Sequence, residues 1–375
     1  MHRRKIFTGL RKAGNNKVRI EFLCGLLACL VVWLTFFLSG CSQSSPTAPT
    51  GSFGPPRLFI SGNQIVNSLG VPQILRGVSI ADPCFLSEVD KHLDEQDFQV
   101  LAQDWKVTIV RVPIYPDLFS SDPNYLSDYV DSVVAWAGKY GIYAFIGWHA
   151  HGNPLTGQTE NPSWASTPPW HGNPYNPNLN LAVNALRQIA YRYKDKPWVI
   201  YGTFNEPAFI TWNGWRPIAE QLVDAVHSAN PSALVTVSGV DWGYDLSGAI
   251  SDPVKRPNVV YEIHPYPWKG ITWKYILRQV HAHYPVFVGE WGFDTEMSSS
   301  YEEENYGKPL VNFCAEEGIG WTAWVWHDTW QPSMLASFNG YSPTPYGTFV
   351  KQSLSVPVYQ VLNASKSYGI SSVTK

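Results

Sequence analysis

Two short apolar runs each end in a glutamate, and this pair has the clearest chemical meaning in the sequence. One run is YGTFNEP (residues 201–207), which contains Glu206, and the other is VFVGEWG (residues 286–292), which contains Glu290. A carboxylate at the carboxyl end of a barrel strand points into the cleft where such barrels carry out chemistry. Two such carboxylates on separate strands, facing one sugar ring, are typical of enzymes that hydrolyse glycosidic bonds.

Cleavage of a glycosidic bond requires the two carboxyl groups to be in different protonation states. One must be protonated at the leaving oxygen, and the other must be ionised opposite the anomeric carbon. We expect neighbouring negative charge to favour the protonated form of one glutamate, and hydrogen bonds together with Arg111 to keep the other ionised. Retention of configuration follows if the groups lie about 5 Å apart, whereas inversion needs a wider gap for water. The residues alone leave that choice open.

The elements that position these glutamates read as alternating strands and helices, which predicts an α/β fold: a single-domain (β/α)8 TIM barrel. Turn signals within residues 58–74 predict an N-terminal hairpin that closes the bottom of the barrel. The fifth unit is weak, with only a short helix at residues 244–250. Strands are predicted at residues 74–79, 108–113, 143–148, 199–205, 234–238, 259–264, 286–290 and 320–326. Amphipathic helices are predicted at residues 127–140, 179–193, 218–228, 275–283 and 310–317.

Six of these strands end in polar and aromatic residues in a distinctive order. The motifs are VRVP (110–113), GWH (147–149), NEP (205–207), HPY (264–266), GEWG (289–292) and WVWHD (324–328). This set resembles glycoside hydrolase family 5, the cellulase and mannanase family of the 4/7 glycosidase superfamily. The resemblance covers nearly the whole predicted domain, and its motifs are specific as a series rather than one by one.

The resemblance implies a role for each matching residue and a retaining reaction. Glu206 resembles the acid/base and Glu290 the nucleophile. Asn205 resembles the residue that holds the sugar 2-hydroxyl, and Trp324 the platform beneath the sugar to be cleaved. Orienting groups and polar neighbours of the glutamates are implied at Arg111, Tyr266, His149 and His264. Trp326 shares the strand parity of Trp324, so either one fits the platform role. Apart from the resemblance, Glu262 lies two residues before His264, so we expect both to point into the barrel, with Glu262 as a structural hydrogen-bonding partner.

Aromatic residues are abundant in the predicted loops at the top of the barrel. The chain has 17 tryptophans, more than one core requires, because a large indole is rarely fully buried. Flat rings in these loops can stack on sugar faces. Trp170, Trp212, Trp242 and Trp268 are the favoured candidates among the loop tryptophans, which also include Trp164, Trp215 and Trp330. Residues 150–177 form an unusually long loop, which we expect to shape one side of the cleft. A plain surface insertion remains the alternative.

The first 56 residues read as targeting and spacer sequence. Residues 1–40 combine a basic segment with an apolar run at 22–38, and LSGC (38–41) resembles a bacterial lipobox with Cys41 as the acylated residue. Residues 41–56 form a Ser/Thr/Pro-rich linker, and residues 57–375 form the catalytic domain. The alternative is an uncleaved transmembrane anchor. Either interpretation places the domain outside the cytoplasm, attached to a membrane at the cell surface, outer membrane or periplasm.

Composition excludes several classes of partner. The formal charge is −3, and it becomes −9 once the seven Lys/Arg and one Glu of residues 1–40 are removed. Such an acidic domain should not bind nucleic acid. We expect no metal, because the sequence offers no third ligand near the histidine pairs 149/151 and 281/283. We expect no cofactor, because the sequence contains no phosphate-binding loop. We expect Cys84 and Cys314 to be free thiols and the protein to be a monomer.

These observations together predict a secreted, lipid-anchored, retaining endo-β-1,4-glycosidase that degrades polysaccharide. An endoglucanase (cellulase) acting on β-1,4-glucan is the favoured form, with β-linked oligosaccharides as smaller substrates. Mannan is the nearest rival substrate, followed by xyloglucan and mixed-linkage glucan, because one fold and one catalytic pair serve all of these specificities. A hypothesis from another class is a surface lipoprotein that binds carbohydrate without cleaving it.

Overall fold

The computed structural model describes residues 54–294 and 302–356, and its strands include the eight that the sequence predicts. In chain order the strands are β1 (Phe59–Ser61), β2 (Gln64–Val66), β3 (Arg76–Ile80), β4 (Ile109–Ile114), β5 (Tyr143–Trp148), β6 (His151–Gly152), β7 (Val199–Gly202), β8 (Glu206–Pro207), β9 (Val235–Ser238), β10 (Val259–Ile263), β11 (Val286–Val288), β12 (Gly320–Trp326), β13 (Leu335–Ser337) and β14 (Ser342–Pro343). Strands β3, β4, β5, β7, β9, β10, β11 and β12 form a closed parallel barrel, in which β12 pairs with β3. The prediction of a (β/α)8 TIM barrel is confirmed.

Helices follow the barrel strands and cover their outer faces. They are α1 (Pro83–Glu88), α2 (Glu95–Gln103), α3 (Pro116–Ser121), α4 (Asp131–Lys139), α5 (Leu179–Arg192), α6 (Trp212–Ala229), α7 (Val240–Gly243), α8 (Gly248–Ser251), α9 (Trp273–His281), α10 (Lys308–Glu317) and α11 (Pro345–Ser355). Short π-helical turns precede α4 and α10, and a 3₁₀ turn (Pro267–Lys269) follows β10. The fifth unit has only α7 and α8, each of four residues, which agrees with its predicted weakness.

Helix α5 shows how sequence produces this packing. Its N-cap is Asn178, whose side chain accepts a hydrogen bond from the backbone N–H of Leu181, as N-cap asparagines do. The residues it buries recur at helical spacing: Ala182, Ala185, Leu186, Ile189 and Ala190. One apolar stripe therefore faces the barrel while the other face meets solvent. All six residues of β5 are buried, because a parallel strand is covered by the barrel interior on one face and by helices on the other.

The N-terminal hairpin closes the amino-terminal end of the barrel. Strands β1 and β2 pair antiparallel around a turn in which Gly62 has a φ of 60°, a conformation that glycine adopts without steric cost. Ile65 of β2 lies against apolar residues at the bottom of the barrel, namely Leu75, Ile109, Phe145, Ile200, Leu234, Val260 and Phe287. The predicted hairpin is confirmed, and it leaves the opposite, carboxyl-terminal end of the barrel open.

The predicted signal sequence at residues 1–40, the acylated Cys41 and most of the linker lie outside the described residues. Within the described part of the chain, no helix has the length and apolar character needed to cross a membrane. Cys84 and Cys314 are buried free thiols, as predicted. Burial raises the pKa of the Cys84 thiol to about 12, which makes it unreactive near neutral pH.

Candidate active site

Glu206 and Glu290 meet at the open end of the barrel. Glu206 lies in β8, a two-residue strand that pairs with β6 just beyond the ends of β5 and β7. Glu290 lies two residues after the end of β11. Carboxylate oxygens of the two glutamates and a ring nitrogen of His264 all lie within 4.8 Å of one another. This separation agrees with the value of about 5 Å that retaining glycosidases require.

Two buried groups orient the carboxylate of Glu290. Arg111, which is 1% exposed, places Nη1 2.9 Å from Oε1 of Glu290. Tyr266 donates its hydroxyl hydrogen to Oε2 of the same carboxylate at 3.0 Å. Burial and the negative charge of Glu290 raise the pKa of Tyr266 well above its usual value, so this phenol stays protonated and remains a donor. The ion pair and the hydrogen bond together fix the orientation of the Glu290 carboxylate.

Glu206 is surrounded by histidines instead. Nδ1 of His264 lies 2.9 Å from Oε1 of Glu206, and Nδ1 of His151 lies 3.7 Å from Oε2. Burial would raise the pKa of Glu206, but His151 and His264 outweigh burial and lower the pKa of this carboxyl below its usual value. The expectation that neighbouring negative charge keeps the acid protonated is therefore wrong for the ligand-free site, because the histidines that contact Glu206 favour its ionised form.

Asn205 links the two halves of this network. Its Oδ1 accepts a hydrogen bond from Nη2 of Arg111, and its Nδ2 lies 2.9 Å from Nε2 of His151. Since Asn205 donates through Nδ2, Nε2 of His151 must be an unprotonated acceptor, which leaves the ring hydrogen on Nδ1 facing Glu206. Burial lowers the pKa of His151, which agrees with a neutral ring. The second hydrogen on Nδ2 of Asn205 is available to a ligand.

Two adjoining cavities form a cleft above the glutamates. One has a volume of about 460 Å³ and is lined by Tyr115, His149, His151, Glu160, Tyr175, Glu206, Trp242, Tyr266, Trp268, Lys269, Glu290, Trp324, Gln331 and Pro332. The other has a volume of about 620 Å³ and is lined mainly by aromatic residues: Phe85, Val89, Tyr115, Trp164, Thr167, Pro168, Trp170, Tyr175, Trp324, Trp330 and Gln331. They share Tyr115, Tyr175, Trp324 and Gln331, so the cleft is continuous.

The predicted aromatic platforms divide into two groups. Trp324 lines both cavities and stacks on His149, with ring centroids 5.6 Å apart. Trp170 lines the larger cavity, and Trp242 and Trp268 line the one around the glutamates. Trp268 is 71% exposed and stacks on Tyr266 at 4.4 Å. These four side chains are therefore placed where a sugar ring can reach them.

For Trp212, Trp215 and Trp326 the structure corrects the prediction, because all three indoles are buried in protein. Trp215 is fully buried and donates from Nε1 to the backbone oxygen of Ser238. Trp212 begins α6, is 7% exposed and donates from Nε1 to the backbone oxygen of Asp252. Trp326 is 1% exposed and packs edge-on against Trp105 at 4.6 Å. The pairing of β12 with β3 shifts register between Ala323 and Trp326, so the two-residue alternation that equated Trp326 with Trp324 does not hold there.

Several cleft residues lay outside the favoured candidates, and most belong to the long loop. Residues 150–177 supply His151, Glu160, Trp164 and Tyr175 to the cavity walls. The prediction that this loop shapes one side of the cleft is confirmed, and its aromatic content was the available signal. Trp330, one of the predicted loop tryptophans, and Gln331 follow β12 and line the larger cavity. Gln331 gave no signal in the sequence, because it lies beyond any recognisable motif.

A bound metal is not needed to account for the charged groups of this site. Among the described residues, Glu206, His264 and Glu290 could together offer ligand atoms to an ion. However, both ring nitrogens of His264 already face carboxylates, at 2.9 Å from Glu206 and 3.1 Å from Glu262. An imidazole that donates from both nitrogens has no lone pair left for a metal. The arrangement suits proton transfer between carboxylates and a sugar.

Comparison with known proteins gives this site its family. The sequence model of the cellulase family, glycosyl hydrolase family 5, matches residues 66–329, well over half of the chain. The chain belongs to glycosyl hydrolase family 5. The predicted resemblance and the class of glycosyl hydrolase are thus confirmed at the level of the family, whose matched region includes both glutamates and every motif at the strand ends.

Individual relatives support the same assignment. The chain is 26% identical to an endoglucanase of Thermobifida fusca over 332 residues, and 30% identical to endoglucanase CelA of Streptomyces lividans over 266 residues. These matches cover 84% and 67% of this chain, but only 66% and 51% of those proteins. A β-glucanase of Saccharophagus degradans, solved in complex with cellotetraose, is similar in structure. It has a TM-score of 0.71 and 25% identity, and the match covers 85% of this chain and 98% of that one.

Proposed function

We propose that this chain is a retaining endo-β-1,4-glucanase in which Glu290 is the nucleophile and Glu206 the acid/base. The observation that carries the proposal is the position of the two carboxylates, within 4.8 Å of each other and facing one aromatic-lined cavity. An inverting enzyme needs a wider gap, which holds a water molecule between its carboxyl groups. The shorter separation seen here suits direct attack by one carboxylate. The difference in surroundings supports these roles, because Glu290 is paired with Arg111 while Glu206 contacts titratable histidines.

The reaction then proceeds by two displacements. In the first, an oxygen of Glu290 forms a bond to the anomeric carbon as the bond to the leaving oxygen breaks, and Glu206 transfers its proton to that oxygen. In the second, Glu206 removes a proton from water, whose oxygen attacks the anomeric carbon and releases Glu290. Substrate binding displaces water from the cleft, and this desolvation favours the protonated form of Glu206 that the first step needs.

The supporting residues act on the charge that develops during these steps. Arg111 and Tyr266 hold Glu290 in one orientation for attack. Asn205 is fixed by Arg111 and His151, so the free hydrogen of its amide can bind the sugar 2-hydroxyl. Hydrogen bonds to that hydroxyl strengthen in the transition state and contribute several kcal/mol. His149 supports the ring of Trp324, which we assign as the platform beneath the sugar to be cleaved.

A β-1,4-glucan is the substrate that the comparisons favour. The similar proteins above are named as endoglucanases, and the similar β-glucanase structure contains cellotetraose. The adjoining cavities, of about 460 and 620 Å³, have room for several sugars. Aromatic rings along such a cleft suit the flat faces of glucose units. Mannan is the nearest rival and xyloglucan follows, because the same catalytic pair serves them all.

We also propose that the enzyme is a lipoprotein held outside the cytoplasm. The basic residues, apolar run and LSGC sequence at residues 1–41 support export and acylation at Cys41. Residues 41–56 would then act as a flexible tether, and the catalytic domain, taken as residues 57–375, would work as a monomer near the membrane surface. The alternative, an uncleaved transmembrane anchor, would also hold the catalytic domain outside the cytoplasm, but through a membrane-spanning segment instead of acyl chains.

Reducing-sugar release from a panel of polysaccharides tests the proposed function. The full chain, solubilised in mild detergent, is assayed on carboxymethylcellulose, mixed-linkage β-glucan, xyloglucan and galactomannan, with Glu290→Gln as the inactive control. Release from the glucans that the control abolishes supports the endoglucanase. Release confined to galactomannan transfers the proposal to mannan. Retention on a polymer without release, in both proteins, contradicts catalysis and favours a carbohydrate-binding lipoprotein.

A further inference from the structure

A third buried carboxylate lies beneath the catalytic pair. Glu262 belongs to β10, is 2% exposed, and contacts groups on three sides. Its Oε1 lies 3.1 Å from Nε2 of His264 and 3.6 Å from Nε of Arg111. Its Oε2 accepts a hydrogen bond from the hydroxyl of Thr236 at 2.5 Å. Among the described residues, those that line the cleft do not include Glu262, so any effect on the reaction passes through its neighbours.

The backbone around this carboxylate leaves room for it. A Cβ atom on Gly289, the residue before Glu290, would lie 1.9 Å from Oε1 of Glu262. A Cβ atom on Gly243 would lie 2.7 Å from Nδ1 of His264. Both separations are far shorter than van der Waals contact, so each of these positions requires glycine while Glu262 and His264 occupy their places. The backbone just before Glu290 thus approaches Glu262 as closely as a glycine permits.

His264 is the group that Glu262 acts on. It is fully buried, and its two ring nitrogens face Glu206 and Glu262. Carboxylate oxygens only accept hydrogen bonds, so an imidazole satisfies both only when both nitrogens carry hydrogen. Although burial opposes a charged ring, the negative charge of Glu290 and the hydrogen bonds to Glu206 and Glu262 raise the pKa of His264 to about 10.

We propose that Glu262 is a positioning residue of the glycosidase reaction, which holds His264 as an imidazolium with its Nδ1–H committed to Oε1 of Glu206. The inference rests on the proposed function and specifies which oxygen of the acid/base does the chemistry. With Oε1 occupied, Oε2 of Glu206 is the oxygen that gives its proton to the leaving group and later takes one from water. Without Glu262, a neutral His264 presents a bare Nδ1 to Oε1 and draws the proton of Glu206 away from the sugar.

Other charged and titratable groups also act on this pair and must be counted. They come from several elements: Arg111 from β4, His149 after β5, His151 from β6, Tyr266 and Lys269 after β10, and Glu290 after β11. A substitution of Glu262 alone alters none of these side chains. Removing one negative charge 3.1 Å from Nε2 weakens proton binding by His264. The pH at which His264 loses its second ring proton must therefore fall.

The experiment measures the protonation of His264 directly and then its effect on rate. The full chain in detergent is labelled with ring-¹⁵N histidine, and the signal of His264 is assigned by its absence from the spectrum of His264→Asn. In the wild type we expect both ring nitrogens to remain protonated at pH 8. A ring with one proton at pH 7 overturns the proposal, and this readout does not depend on activity.

Kinetics of Glu262→Gln supply the second readout. The expected kcat/KM on β-glucan stays within tenfold of the wild type at pH 5.5 and falls by more than a further tenfold at pH 8. A uniform loss at every pH indicates a structural role and overturns the proposal. Glu220→Gln, which removes a charge paired with Arg216 on α6, is the control and should keep the wild-type profile. A wild type inactive on all β-glycans would instead contradict the proposed function, independently of the NMR result.

Discussion

At the scale of single residues, the active site separates its glutamates by what surrounds each of them. Glu290 contacts Arg111 and a phenol that stays protonated, whereas Glu206 contacts histidines. The sequence could predict both glutamates, because each follows an apolar strand. It could not predict the pKa direction of Glu206, because His151 and His264 approach it only after β6 pairs with β8 and β10 lies beside β11.

Replacement of Glu206, the proposed acid/base, should produce a characteristic change in the product. We expect Glu206→Ala to lower kcat/KM on β-glucan by about 10²–10⁴-fold, the range that general acid–base catalysis contributes. An aryl cellobioside with a good leaving group should still form the covalent intermediate. Added azide should then restore turnover and yield a β-glycosyl azide, which NMR identifies. An α-glycosyl azide, or no restoration, contradicts Glu206 as the acid/base of a retaining enzyme.

At the scale of elements, the strands place the chemistry and the loops shape the cleft. Most strand positions could be predicted because their apolar runs are short and bounded by turns. The positions of the two tryptophans of β12 could not be predicted. A register shift against β3 places Trp324 in the cleft and Trp326 in the core. Such a shift depends on contacts between strands that are far apart in sequence.

Those two tryptophans offer a matched pair of substitutions on one strand. We expect Trp324→Ala to lower kcat/KM on β-glucan at least tenfold with little change in thermal midpoint, because its ring faces the cleft. Trp326→Ala should destabilise the fold by about 3–5 kcal/mol, the usual cost of emptying a buried aromatic site. Activity assays and urea unfolding measure the two effects. If Trp324→Ala destabilised the fold more than Trp326→Ala does, the assignment of Trp324 to the cleft and Trp326 to the core would be contradicted.

The long loop makes a contact across the cleft that can be tested separately. Oε1 of Glu160 accepts a hydrogen bond from Nε1 of Trp242 at 3.0 Å, which joins residues 150–177 to the turn after β9. We expect Glu160→Ala to raise KM for long glucans roughly twofold to tenfold, as the loss of one hydrogen bond would. Leu155→Ala, on an exposed residue of the same loop, is the control. Equal effects of the two substitutions would show that the contact is unimportant for binding.

At the scale of the whole molecule, the chain combines a barrel open at one end with an N-terminal region that reads as an export and anchoring signal. The barrel and its hairpin could be predicted because strand and helix periodicities alternate along the whole domain. Cys84 and Cys314 could be predicted as unpaired from their places in that alternation. The attachment to a membrane depends on residues 1–41, and it remains a prediction from sequence.

Lipidation of Cys41 gives that prediction a direct measurement. In a bacterial host we expect mass spectrometry to find the mature N-terminus at Cys41 with attached acyl chains, and the activity to sediment with membranes. Cys41→Ala should prevent acylation and processing at this site, because the thiol is the acceptor. Cys84→Ala, at a buried thiol, is the control and should leave fractionation unchanged. Membrane-bound protein that retains residues 1–40 would favour the transmembrane anchor.

The most direct test of the central claim is to trap the covalent intermediate. A 2-deoxy-2-fluoro-β-cellobioside with a good leaving group should inactivate the full chain, because the fluorine slows hydrolysis of the glycosyl-enzyme more than its formation. We predict that peptide mass spectrometry places one fluorocellobiosyl group on Glu290, and that Glu290→Gln is not labelled. A label on any other residue, or turnover of glucan by Glu290→Gln at the wild-type rate, would contradict the account.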